Sequence, residues 1–145
     1  MERGLQSAPT YQAPLKTFCV FSVFRGSKKL FFNPPRMNEL ESALLKELTG
    51  GAEPKLLLRT RTRIDAGRWW RKTPVWLCIT ANELILFAVA RRRFTERVLL
   101  ADCHTSHYSA TTGELVIDSA QNLRMKRLNL TPRNALNAIG FLPNQ

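Results

Sequence analysis

The chain has 145 residues, enough for a single domain with a real hydrophobic core, and its 44% hydrophobic and 23% charged residues exclude a disordered polypeptide. No apolar run approaches the roughly 20 residues that a membrane-spanning helix needs. The net charge of +11 says nothing about fold, but it favours polyanionic partners such as phospholipid headgroups, nucleic acid or acidic proteins.

The first fifty residues are predicted to form an extension that packs on the domain that follows. Residues 17–24 contain the apolar, aromatic run FCVFSVF, which is typical of a buried or edge strand. After an Asn-Pro-Pro breaker, residues 36–48 carry apolar side chains at three- and four-residue steps up to a Gly-Gly stop, which predicts an amphipathic helix. The many phenylalanines of this extension suit packing on the domain or, alternatively, a homodimer contact.

Seven short strands are predicted in residues 51–145. The first runs from Lys55 to Ile64 with a period of two, so that Arg59, Arg61 and Arg63 share one face. Turn residues separate it from six further apolar or alternating segments: residues 75–80, 83–90, 94–100, 103–109, 114–118 and 123–130.

A closing helix is predicted after the last strand. Thr131 suits the N-cap and Pro132 suits the first helical position. The apolar stripe of this helix is predicted to consist of Ala135, Leu136, Ile139 and Leu142. Because a sheet of seven short antiparallel strands leaves its edges uncovered, such a helix would close one end. The expected fold is mainly β, a barrel of seven antiparallel strands capped by a C-terminal helix.

This order of elements resembles the pleckstrin-homology (PH) superfold, particularly the bacterial PH-like and GRAM-like domains. The phrase WLCITANELILF resembles their second strand, tight turn and apolar third strand, and the resemblance runs from about Leu48 to Phe141. In PH domains that bind phosphoinositides, the ligand cations come from the end of the first strand and the start of the second. By resemblance, Arg63, Arg71 and Lys72 occupy comparable positions.

Positive charge is concentrated in one part of the chain. Residues 55–97 hold eleven Lys or Arg and three Asp or Glu, whereas residues 98–145 hold four and three. In an up-and-down meander, the loops near residues 65–73, 91–93 and 109–113 would converge at one end. Guanidinium groups match phosphate oxygens two at a time, so the candidate anion-binding residues are Arg63, Arg68, Arg71, Lys72, Arg91, Arg92 and Arg93.

Two adjacent tryptophans, Trp69 and Trp70, lie in the first of these loops and are candidate membrane-interface or partner contacts. Arginine and tryptophan are also enriched at protein interfaces, so the same loop suits an acidic protein or peptide. Alternatively, one tryptophan folds back onto the barrel, and the alternating arginines of the first strand are only its solvated face. Nucleic acid is disfavoured, because no recognised binding motif accompanies the charge.

Catalytic and metal chemistry find little support in the sequence. The cluster DCHTSH at residues 102–107 would project its ligands to opposite sides of a strand, and neither a nucleophile-base pair nor a phosphate loop is present. We therefore expect a non-enzymatic protein that needs no cofactor or metal.

The expected location is cytoplasmic. Cys19, Cys78 and Cys103 form no framework, which indicates reduced thiols, and the N-terminus lacks the layout of a secretory signal. The predicted function is docking on anionic phospholipid headgroups, at the inner face of the membrane. The alternative is a protein- or peptide-binding adaptor, or a self-assembly domain without affinity for lipid.

Overall fold

The computed structural model describes residues 36–67, 70–118 and 120–143, which belong to one compact unit. The predicted strand over residues 17–24 lies outside the described residues, and the separation of residues 1–50 as an extension stays a prediction. The elements, in chain order, are α1 (Glu39–Thr49), β1 (Leu56–Ile64), β2 (Thr73–Ile79), β3 (Glu83–Val89), β4 (Arg93–Leu99), a short 3-10 helix (Leu100–Cys103), β5 (Ser106–Ser109), β6 (Glu114–Ile117), β7 (Arg127–Asn129) and α2 (Pro132–Ile139).

The mainly β fold with seven antiparallel strands is confirmed. The strands form a four-stranded sheet in the order β1-β2-β3-β4 and a three-stranded sheet in the order β5-β6-β7. Within the described residues these sheets do not close into the barrel that the sequence predicts. They approach each other where the Asn129 backbone N–H donates to Thr62 Oγ1 at 2.7 Å.

The region after β4 differs from the prediction for a physical reason. The sequence predicts a strand over residues 103–109, but Leu100–Cys103 forms a 3-10 helix and β5 begins only at Ser106. This turn buries Cys103, and the Ser106 hydroxyl donates to the Cys103 carbonyl at 2.7 Å. The last strand is also shorter than predicted, with three residues, because a turn at Gln121 and Asn122 and a bend at Arg124 precede it. The chain therefore changes direction between the two sheets instead of continuing one meander.

Helix α1 is confirmed close to its predicted position, and its ends have clear causes. Asn38 is the N-cap: its side chain accepts from the Glu41 N–H at 2.8 Å, and the Glu41 carboxylate accepts from the Asn38 N–H at 2.9 Å. Gly50 ends the helix in the left-handed conformation, with φ 62°. The helix consequently starts after the Asn38 cap, three residues later than predicted.

The four-stranded sheet is buried on both faces at its centre. One face carries Val75, Leu77 and Ile79, which are fully buried. On the other face, side chains of β2 and β3 form a cluster with α1 that consists of Leu44, Trp76, Cys78, Ile85, Phe87 and Val89. Helix α1 therefore covers the second face of the sheet. Because both faces are buried, β2 is apolar from Pro74 to Ile79 and β3 is apolar from Leu84 to Val89.

The closing helix α2 is confirmed with its predicted N-cap, Thr131, whose side chain accepts from the Asn134 N–H at 3.3 Å. Of the predicted apolar stripe, Ala135 and Leu142 are buried as expected and Ile139 is half-buried, but Leu136 is not part of the core. Ala135 and Ala138 are buried, whereas Leu136 is 66% exposed. Residues three apart share a helix face and neighbours do not, so the placement of Ala135 and Ala138 in the core turns Leu136 outward.

The two described cysteines are expected to be unreactive in the folded protein. Burial raises the pKa of Cys78 to about 11, and burial together with the nearby Asp102 carboxylate raises the pKa of Cys103 to about 11. Because the thiolate is the nucleophile, alkylation by iodoacetamide at about pH 8 should be slow in a Cys19→Ser background and become fast only in urea. Mass spectrometry of the alkylated chain measures this, and rapid labelling of either thiol without urea would contradict the described core.

Candidate anion-binding groove

An open groove of about 920 Å³ lies between the start of α1 and the ends of β1, β2 and β3. We call it the basic groove. Its lining contains one acidic residue, Glu41, and five apolar residues: Leu40, Trp70, Pro74, Val89 and Ala90. It also contains five cationic residues, which come from β1 and from the β1–β2 and β3–β4 loops: Arg59, Arg63, Arg71, Lys72 and Arg91. The groove thus has a surplus of positive charge around one cavity.

An irregularity in β1 helps to shape the groove. Arg59 pairs with Trp76 and Arg63 pairs with Pro74, so four residue steps of β1 lie opposite two steps of β2. Such a bulge bends the strand and redirects its side chains. Because two residues are added, the inward and outward alternation is kept, and Arg59 and Arg63 remain on the same side of the sheet.

The middle arginine of β1 behaves differently from its neighbours. The bulge is fixed by Thr60, which is buried and donates its hydroxyl to the Val75 carbonyl at 2.8 Å. Arg61 follows Thr60 within the bulge and is exposed, but it does not line the groove. Three arginines that look equivalent in the sequence therefore divide into two that line the groove and one that does not.

Arg59, which lines the groove, lies next to the hydrophobic core. Its guanidinium carbon lies 6.0 Å from the ring centroid of Trp76, a cation–π distance. The Trp76 ring is fully buried and stacks on Phe87, with ring centroids 6.2 Å apart and an interplanar angle of 12°. The Arg59 head group thus lies beside a buried aromatic pair.

The loops on either side of the groove touch each other. The Arg92 backbone N–H donates to the Ala66 carbonyl at 3.0 Å. Gly67 has φ +80°, and a Cβ at this position would lie 3.3 Å from Arg92 Cγ, so a glycine suits both the backbone and the close approach. This contact holds the β1–β2 and β3–β4 loops at the same end of the sheet, where the meander predicts them.

The carboxylate of the acidic residue in the groove already accepts a hydrogen bond at the start of α1. Glu41 is buried, and its carboxylate accepts from the Asn38 N–H as part of the capping box. Within residues 36–67, 70–118 and 120–143, no carboxylate forms an ion pair with any of the five groove cations. Among these residues, the positive charge of the groove is therefore not offset by an ion pair.

Four of the seven predicted anion-binding residues line the basic groove: Arg63, Arg71, Lys72 and Arg91. Arg92 holds the loops together through its backbone, and its side chain is not part of the lining. Arg93 lies on β4 and forms an ion pair with Glu47 of α1 at 3.1 Å. Arg97 donates to the Leu48 carbonyl. Arg93 and Arg97 thus both contact the last turn of α1.

Trp70, a predicted contact residue, lines the groove and is 87% exposed. Arg68 and Trp69 lie outside the described residues. Sequence reasoning placed Arg59 only on a solvated strand face and assigned no site role to Asn38 or Leu40. The arginine alternation was the available signal for Arg59, but α1 could be placed beside the groove only from the fold.

The discounted cluster at residues 102–107 has a different local structure from the predicted strand. Asp102 and Cys103 lie in the 3-10 helix, and His107 Nδ1 in β5 lies 3.8 Å from the Asp118 carboxylate. Among the described residues, no group of three or more His, Cys, Asp and Glu side chains is arranged to hold a metal ion.

Neither of the described helices, α1 and α2, has the length and apolar character needed to cross a bilayer. Comparison of the chain with family models, with curated proteins and with solved structures gives no match.

Proposed function

We propose that the protein is a non-enzymatic, PH-like binding module that docks on anionic phospholipid headgroups at a membrane surface. The observation that carries this proposal is the basic groove, where five cations face one cavity with a single, internally bonded carboxylate. The proposed setting is the cytoplasm and the inner face of the membrane. A fold of seven antiparallel strands followed by a helix, with β1 and β7 in contact, is compatible with a PH-like arrangement.

The charges of the groove suit phosphate for both geometric and energetic reasons. Four of the five cations are arginines, whose planar guanidinium groups bind phosphate oxygens through two parallel hydrogen bonds. A cation held close to an anionic leaflet contributes roughly 1 kcal/mol of attraction. Five such contributions sum to roughly 5 kcal/mol of attraction, the size expected of a weak, reversible contact with the membrane.

Two exposed apolar side chains strengthen the case for a membrane. Trp70 is 87% exposed and Leu40 is 62% exposed, and both line the same groove as the cations. Tryptophan prefers the boundary between headgroups and acyl chains. Trp70 and Leu40 can therefore enter the interfacial layer while the cations bind headgroups, and charge and apolar burial act at one site.

A second candidate function is a protein- or peptide-binding adaptor, and a different surface favours it. Leu136 of α2 is 66% exposed and Phe141, just after α2, is 37% exposed. Exposed apolar side chains suit an interface with another protein. Neither Leu136 nor Phe141 lines the basic groove, so variants can separate the two functions.

Vesicle sedimentation tests the proposed function. The wild-type protein should pellet with phosphatidylcholine vesicles that contain phosphatidylserine and remain in solution with phosphatidylcholine alone. Raising the salt from about 0.05 M to about 0.5 M should release most of the bound protein, because the Debye length falls well below 10 Å. Trp70→Ala should weaken the binding that remains at moderate salt. Absence of pelleting at low salt would overturn lipid docking and leave the adaptor function.

A further inference from the structure

We propose that α1 exchanges between two copies of the chain, so that each four-stranded sheet of a dimer is covered by the helix of the partner. The surface concerned is the sheet face that carries Trp76 and Phe87, and its occupant is α1 of a second copy. In such a dimer the first turn of α1 would also line the basic groove of the other copy. The inference goes beyond the proposed function, because it holds whether or not the groove binds lipid.

The sheet face below α1 is too apolar to be left uncovered. Trp76, Cys78, Ile85 and Phe87 are fully buried in the cluster below α1, and Val89 is 8% exposed. Without a helix, this face would present two large aromatic rings and three smaller apolar side chains to water. The helix needs the sheet equally, because eleven residues are too few for an isolated helix to be stable in water. Both requirements are met equally well by α1 of the same chain and by α1 of a second copy.

Two polar contacts fix the position of α1 on the sheet. Arg93 of β4 forms an ion pair with Glu47 of α1 at 3.1 Å. Arg97 of the same strand donates to the Leu48 carbonyl. Leu44, whose side chain is buried, packs in the cluster beside them. Because a second copy presents the same side chains in the same order, an exchanged α1 would make all of these contacts again.

The segment that joins α1 to β1 has the properties of a hinge. Residues 50–53 are exposed, and Gly50 and Gly51 have φ values of 62° and 83°. A Cβ at either glycine would meet no heavy atom within 4 Å beyond its chain neighbours, so no side-chain packing holds this turn. The six residues 50–55 span up to about 20 Å when extended, whereas the eleven-residue helix is about 16 Å long. Extension of this segment would therefore carry α1 off its own sheet and within reach of another.

Helix α2 has no comparable hinge. Only Leu130 and Thr131 separate it from β7. Leu130 is buried, and Thr131 is the N-cap of the helix. The side chains that anchor α2, Ala135 and Ala138, follow within two turns. Of the two described helices, α1 is the one whose connection can extend without removing a residue from the core.

Substitution of the hinge glycines tests this inference in the full chain without any ligand. Gly50→Ala with Gly51→Ala places side chains where φ is positive in the closed turn. Alanine disfavours this conformation, and an extended hinge does not require it. The dimer association constant, measured by light scattering over a range of protein concentrations, should rise at least about tenfold above that of the wild type. A variant that stays monomeric at every concentration would overturn the exchange.

The matched control is Gly113→Ala. Gly113 also has a positive φ, of 71°, but it lies between β5 and β6, outside the hinge. A Cβ there would meet only ordinary contacts, at 3.8 Å. The substitution should lower stability without raising the dimer association constant. A rise as large as that of the hinge variant would mean that dimers form through general destabilisation, and a hinge between α1 and β1 would be wrong.

A mixing experiment identifies the element that is exchanged. Glu47→Arg and Arg93→Glu are prepared as separate proteins, each of which places like charges together at the end of its own α1. In an exchanged heterodimer one native ion pair and one reversed ion pair form across the two chains. Because each pair is exposed and its contribution small, the mixture should contain severalfold more dimer than either protein alone at the same total concentration. Native mass spectrometry measures this, because it separates the heterodimer from the two homodimers.

The control for the mixing experiment carries Glu47→Arg and Arg93→Glu in one chain. It restores the ion pair within the molecule, so its dimer content should return to that of the wild type. A mixture with no more dimer than the average of the two separate proteins would overturn the exchange of α1. All of these measurements are made without lipid, so neither result affects the proposed docking on membranes.

Discussion

Replacing Trp76 by alanine is expected to lower the free energy of unfolding by about 3–5 kcal/mol, the usual cost of removing a large buried aromatic side chain. Trp76 is fully buried and joins three parts of the structure. Its ring stacks on Phe87 in the sheet, packs in the same cluster as Leu44 of α1, and supports the Arg59 guanidinium. Its loss would leave a cavity between α1 and the sheet, directly below the basic groove.

Trp70 provides a matched control for this prediction. It is the same residue type in the same region of the fold, but it is 87% exposed. Trp70→Ala should change the free energy of unfolding by no more than about 0.5 kcal/mol, as is usual for surface substitutions. Urea denaturation of the two variants and the wild type measures both values. Similar destabilisation by the two substitutions would mean that the assignment of the buried and exposed tryptophans is wrong.

The second large effect is expected from charge reversal in the groove. The double variant Arg63→Glu with Arg91→Glu replaces two groove cations by anions. If each charge near the leaflet contributes roughly 1 kcal/mol, the change should weaken binding to phosphatidylserine vesicles by roughly 2–4 kcal/mol. Sedimentation at a fixed low salt concentration measures the partition coefficient. Both positions are exposed, so the folded state itself should be retained.

The control for charge reversal is Arg61→Glu with Arg92→Glu. It lowers the net charge of +11 by the same amount and changes one residue of β1 and one of the β3–β4 loop, as the groove variant does. Because these side chains do not line the groove, the loss should be roughly 1 kcal/mol or less. If both variants lost the same affinity, a diffuse positive surface would explain binding and the groove would have no special role.

Local sequence signals predicted much of the fold. The Asn-Pro-Pro breaker, the apolar spacing of residues 36–48 and the Gly-Gly stop located α1, since caps and breakers act over a few residues. The alternation in Leu56–Ile64 located β1, and the Thr131-Pro132 pair located the start of α2. Each of these features is decided by neighbouring residues, so a single sequence is sufficient to recognise it.

Features that depend on distant partners were not predictable in the same way. The bulge in β1 arises from its pairing with β2, and nothing in the alternation of three arginines shows that Arg61 leaves the groove. The exposure of Leu136 depends on which face of α2 meets the rest of the unit. The division into two sheets follows from the 3-10 helix after β4, in which Cys103 is buried. The composition of this region is typical of a strand, so the sequence did not predict the turn.

The candidate site shows the same division between local and long-range information. The convergence of the β1–β2 and β3–β4 loops follows from the meander, so the sequence could identify Arg63, Arg71, Lys72 and Arg91. Helix α1 can form a wall of the groove because Leu44 packs into the cluster around Trp76, which is a long-range contact. The periodicity of α1 predicts a helix but does not indicate where the helix packs.

Residue-by-residue mapping of the lipid contact tests the central claim most directly. Backbone amide signals of the isotope-labelled protein are compared with and without nanodiscs that contain phosphatidylserine, using NMR. We predict that the largest changes occur around the basic groove, at Asn38, Arg63, Lys72 and Arg91. Changes confined to α2 and Phe141, with the groove signals unaffected, would contradict the account.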